Sequence, residues 1–173
     1  MLQSFLVQEE AVDSTIRKLR LETQLSIQDW DKMRQVVKVL KPFDDATQML
    51  SSHDASISMA IPIVTTIMMS LNPTNEDHGV KGMMRSLQQN MEKPNRFGII
   101  ESNEHYTVAT LLDAHFKGFF FRKPDTLDRA KEVVISEIVK LLRVDGTASQ
   151  VCYLNNLIPT LSNPFGSAGL KIL

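Results

Sequence analysis

Four histidines, His53, His78, His105 and His115, are the first places to look for a metal ligand or a general base. No two stand at the i, i+4 spacing that puts a helical pair on one ion, and no HExxH occurs. His53 and His78 lie in polar connectors, and His105 and His115 are too far apart to share a helix turn. A solvated surface role is the ordinary reading for such residues. The acid pairs Glu9-Glu10 and Asp44-Asp45 are sequence neighbours, which do not face each other on a helix, so neither makes a shared carboxylate site. There is no GxSxG, and Gly79 and Gly82 lack the Lys-Ser ending of a phosphate loop. The single cysteine, Cys152, excludes an internal disulfide and a Cys-paired zinc site, and points to an intracellular chain.

Asp113 is the residue that needs an explanation. It follows the apolar run Val108 to Leu112 and precedes HFKGFFF. A carboxylate there must sit at a boundary or be paired, because a lone buried charge is very costly. Lys117, at i+4, is the expected helix partner, in the favourable acid-before-base order. A structural pair or cap is therefore the first reading, ahead of catalysis. Phe119-Phe120-Phe121 cannot all point inward on one helix, so at least one packs on a neighbouring element or marks an interaction patch. Met68, Met69, Met83, Met84 and Met91 suggest either helical core or an adaptable binding surface, with core favoured by their spacing.

The elements that carry these residues read as helices. Gln3 to Leu21 forms a first helix on the spacing of Phe5, Val12, Ile16 and Leu19. Ser26 with Asp29 makes a capping box for a second. Its stripe is Trp30, Met33, Val37, Leu40, Thr47 and Leu50, widened by Val36, Val39 and Phe43. Pro42 has no N–H and crowds the carbonyl of Lys38, which predicts a kink or break. Ile57 to Leu71 forms a third helix and Val80 to Met91 a fourth. His105 to Phe121 is a mostly helical fifth segment. A sixth, capped by Asp125 or Thr126, turns Val134, Ile138, Leu141 and Leu142 inward and stops at Asp145-Gly146. Strand alternation is absent, so the fold class is all-α. Residues 1–146 form the helical region and 147–173 a weakly structured tail. The chain has 173 residues and net charge −1, which suits one domain and argues against a free-standing nucleic-acid binder. No window has the apolar length of a membrane span, and the N-terminus lacks the basic region of a signal peptide.

Two phrases carry a resemblance. The first is Trp30, then Leu40-Lys41-Pro42-Phe43, Asp44-Asp45, Ala46-Thr47 and Leu50-Ser51, followed by Ser56-Ile57-Ser58 and Ile61-Pro62. The second is Ala109-Thr110, Leu112-Asp113 and Phe116-Lys117, with Ala114 and His115 where a proline and an arginine are usual. In this order they resemble hAT-superfamily transposases and the domesticated zinc-finger BED-type proteins derived from them, over about Ser26 to Phe121. The resemblance implies an RNase H-like catalytic fold, with two Asp and one Glu on divalent metal, interrupted by a helical insertion. The matched phrases look like that insertion.

No residue of the triad is carried over onto this chain, nor is the finger or the dimerisation segment. The expectation is thus an irregular multi-helix domain resembling the helical insertion, a catalytically inert fragment with no catalytic, cofactor-binding or metal-ligating residue. The family implies a nuclear location, a role in DNA transposition or transcription regulation, and DNA contact only within a longer protein. An independent helical module that binds protein partners through an apolar surface is the alternative. A third reading is DNA binding through Lys117, Arg122, Lys123, Arg129 and Lys131.

Overall fold

The computed structural model describes residues 2–19, 25–74, 77 and 79–144. The expected tail 147–173, the Asp145-Gly146 stop and His78 lie outside them. The described chain is all helical: α1 (Leu2–Val7), α2 (Glu9–Lys18), α3 (Ile27–Leu50), α4 (Ala60–Ser70), α5 (Lys81–Met91), α6 (Glu104–Leu112) and α7 (Pro124–Val144). Short 3-10 turns at Ile57–Met59 and Ile100–Ser102 precede α4 and α6.

The expected first helix is two. Gln8 departs from helical geometry (φ −102°, ψ 23°), and its N–H bonds back three residues to Phe5 at 3.1 Å. The break lets Phe5 stack on Trp30, ring centroids 5.4 Å apart, while Glu9 pairs with Arg34 on α3. Trp30 is 3% exposed, so α1 serves as its lid.

The capping box forms as its residues dictate. The Ser26 hydroxyl accepts the Asp29 N–H at 3.2 Å, and Asp29 Oδ2 accepts the Ser26 N–H at 3.0 Å. Pro42 does not break α3, which runs on to Leu50. Val39 and Ala46 bracket the proline on one buried face, and their packing holds the helix through the lost hydrogen bond. That face corrects the expected stripe. Leu40, Thr47 and Leu50 are exposed, whereas Val36, Val39, Phe43 and Ala46 meet the core.

The core lies where α3, α4 and α5 meet. Val39 and Ala46 pack with Val64, Ile67, Met68, Leu71, Val80, Met84 and Met91. Pro62 sits in the first turn of α4, where its missing N–H costs nothing because such groups have no intrahelical partner. Most of the methionine set is core: Met68, Met84 and Met91 are buried and Met83 half-buried, with Met69 alone of the five turned outward.

The segment expected to be helical through Phe121 stops at Leu112. Asp113 is extended (ψ 120°), and turns follow. α7 begins at Pro124, one residue ahead of the expected caps, with proline at a position that needs no N–H. Its inward residues differ in part from expectation, although Val134 is half-buried. Ala130 is 2% exposed, whereas Ile138 and Leu141 face outward and the Leu142 side chain lies outside the described set.

Candidate functional site

Two phrases 55 residues apart in sequence meet at one joint. The 3-10 turn Ile57–Met59 carries Ser58 beneath the C-terminal end of α6. Ser58 donates to Asp113 Oδ2 at 2.6 Å. Its one proton is thereby committed, so Ser56, 2.6 Å away, donates to Ser58. Thr110, fully buried, donates its hydroxyl to the Ser58 carbonyl at 3.0 Å. Main chain and side chain of Ser58 are thus both held from α6.

Asp113 also ends its helix. Its Oδ1 accepts the His115 N–H at 2.9 Å, an Asx turn that competes with further helix. The Asp113 carbonyl accepts the N–H of Phe116 at 3.2 Å and of Lys117 at 2.9 Å, with Lys117 left-handed at φ 46°. The tight turn forms with Ala114 where the resembled phrase has a proline, because the carboxylate supplies the constraint. The expected Asp113–Lys117 ion pair is corrected: the carboxylate is taken by Ser58 and by His115, whose Nδ1 lies 3.0 Å from Oδ1. These contacts hold its pKa below the usual aspartate range. The Ser58 hydroxyl contributes most, then the His115 N–H and the His115 ring, against a smaller opposing effect of burial.

Serine, histidine and aspartate here stand in an order that does not activate the serine. Nucleophilic catalysis places the imidazole between hydroxyl and carboxylate. At this joint the carboxylate stands between, and a carboxylate with a depressed pKa is a weak base. The imidazole is 87% exposed at its side chain. The arrangement orients backbone.

A second clamp holds the far end of the turn. Buried Glu101 accepts both the N–H and the Nε–H of Arg122 at 3.1 Å through Oε1. Thr65 of α4 donates to the Phe120 carbonyl at 3.1 Å, and Phe120 meets Phe116 edge-on at 5.7 Å. Phe120 and Phe121 are half-buried and Phe119 is 66% exposed. Among the described residues no group of three His, Cys, Asp or Glu side chains is placed to hold a metal ion. His53 and His105 are exposed and take no part in the joint. Of the five cations grouped in the sequence, Arg122 is bound by Glu101 and Lys131 by Asp128 at 3.1 Å, while Lys117, Lys123 and Arg129 form no ion pair among the described residues.

Sequence reasoning identified Asp113 as needing a partner but missed Ser58, whose only signal was its place in the Ser56-Ile57-Ser58 phrase. Nothing in the sequence marked the Glu101 to Arg122 clamp.

Fold and joint together describe a helical scaffold tied across a long stretch of chain. Comparison with known proteins finds zinc finger BED domain-containing proteins. The chain is 28% identical over 131 residues to zinc finger BED domain-containing protein 6 of Mus musculus, covering 70% of this chain and 13% of that protein. It is 25% identical over 154 residues to zinc finger BED domain-containing protein 4 of Homo sapiens, covering 88% and 13%. The Homo sapiens protein 6 is 26% identical over 134 residues, covering 72% and 13%. Each match is long enough that residues 56–113 lie inside it wherever it ends. These similarities support kinship with the BED-related proteins, of whose length the chain spans about 13%. No family model and no solved structure matches the chain. No helix among the described residues is long and apolar enough to cross a membrane.

Proposed function

We propose that this chain is a non-catalytic helical scaffold of a BED- and hAT-related protein, acting in the nucleus within a larger DNA-handling architecture for transposition or transcription regulation. The joint of Ser58, Thr110 and Asp113 carries the reading. Ser58 from the first resembling phrase and Thr110 and Asp113 from the second fix one turn against one helix. The test is a nicking assay on supercoiled plasmid with magnesium or manganese and the purified chain. The expected result is no cleavage above background. Cleavage that disappears on chelation and on mutation of Asp113 contradicts it.

A second reading, a helical module for protein partners, is favoured by Leu112 at 65% exposure and Phe119 at 66%. It predicts that Leu112→Ser with Phe119→Ser abolishes association with a nuclear partner and leaves Tm unchanged. Undiminished association rejects it.

A further inference from the structure

Six lysines and arginines of the described chain are held in ion pairs, and the others, Arg17, Lys18, Lys32, Lys117, Lys123 and Arg129 among them, are not. Arg34, Lys38, Lys41, Arg122, Lys131 and Lys140 are each paired with a carboxylate. Of the unpaired ones Lys81, Arg85, Lys93 and Arg96 fall together in one short stretch of chain. Between residues 81 and 100 there is a single acid, Glu92, in a chain whose net charge is −1.

α5 arranges this stretch. Met84 and Met91 are buried and Met83 and Leu87 half-buried, which turns Arg85, Ser86, Gln89 and Asn90 outward. The outer face therefore carries a cation, a hydroxyl and two amides, and past the end of α5 Lys93 follows beside the exposed acid Glu92. Asn90 is fixed in place, donating to the Ser86 carbonyl at 2.8 Å and accepting from Lys93 at 2.7 Å.

Beyond the helix the chain folds back on itself. The Phe97 N–H bonds the Met91 carbonyl at 3.1 Å, and the Gly98 N–H bonds the Lys93 carbonyl at 3.1 Å. Gly98 passes so close that a Cβ there would lie 2.0 Å from the Glu92 carbonyl oxygen. This closed loop presents Arg96 and a 41% exposed Phe97 at the rim of an open groove that Asn95, Asn103 and Tyr106 also line.

From this placement we infer that the outer face of α5 and the groove beyond it form a binding track for single-stranded nucleic acid. Arg85, Lys93 and Arg96 meet phosphates spaced along the strand, and Phe97 offers a ring on which an unstacked base lies. Cations in a row serve any polyanion. An exposed aromatic, set in a groove with amide side chains and held by a closed loop, selects for a strand whose bases are free to stack. The inference goes beyond the scaffold reading and does not depend on it.

The test is fluorescence anisotropy of the full 173-residue chain with a labelled thymidine 20-mer and with a duplex of equal length. The 20-mer is expected to bind at low salt, with a log–log salt slope of about −2 for three phosphates. Charge reversal at Arg85, Lys93 and Arg96 weakens it by about tenfold or more. Phe97→Ala weakens single-strand binding roughly fivefold or more and leaves the salt slope unchanged. Reversal at Lys123 and Arg129 leaves binding intact. Circular dichroism confirms that each variant keeps its helices. Four outcomes would overturn the inference: no binding at low salt, indifference to the triple reversal, preference for the duplex, or equal competition by polyglutamate.

Discussion

Asp113 shows how a single carboxylate can end a helix and anchor a distant turn at the same time. Folding lowers its pKa, so its contribution to stability is fully present above the usual aspartate value of about 3.9. That contribution is lost as pH falls through the depressed folded value. Asp77, held by the Thr74 hydroxyl and N–H, and Asp29, held by Ser26, act with the same sign. The chain is expected to lose stability steeply below pH 4, and Asp113→Asn to lose it more shallowly. Superimposable acid-unfolding profiles for the two proteins would contradict this. Thr110→Val keeps the shape of a fully buried side chain but removes its bond to Ser58, and is expected to cost about 1–3 kcal/mol in urea unfolding. Residue reasoning from sequence reached Asp113 because a lone acid in an apolar run is a physical anomaly. It named Lys117 because only local partners are visible in a sequence, and Ser58 is 55 positions away.

Elements were legible where their signals are local. The capping box placed the start of α3 to the residue, because both halves of the box lie within four positions. The rule that predicts a kink or break at Pro42 is also local. The helix continues because Val39, Phe43 and Ala46 are held by α4 and α5, which sequence-local reasoning does not weigh. Pro42→Ala restores the missing N–H and is expected to raise stability by about 1–3 kcal/mol, read as a higher Tm. A lower Tm would show that the proline shapes the helix to seat its neighbours. The stripe on α3 was misplaced for a related reason. Two apolar stripes run along it, and only contact with α4 and α5 selects Val36, Val39, Phe43 and Ala46 over Leu40, Thr47 and Leu50. Gly98→Ala brings a methyl into the Glu92 carbonyl and is expected to cost about 1–3 kcal/mol in thermal unfolding.

At the scale of the molecule, the helical class followed from periodicity, and the kinship with BED-related proteins agrees with the two phrases that suggested it. The assembly of those phrases into one joint was not legible, since it depends on α6 lying between the 57–59 turn and α7. The central claim is that Ser58 and Asp113 act as one structural tie. The direct measurement is a double-mutant cycle, Ser58→Ala and Asp113→Ala alone and together, followed by urea unfolding. Each single change is expected to lower the midpoint, and the double to cost clearly less than the sum, because either one alone already severs the tie. Strictly additive losses would contradict the account.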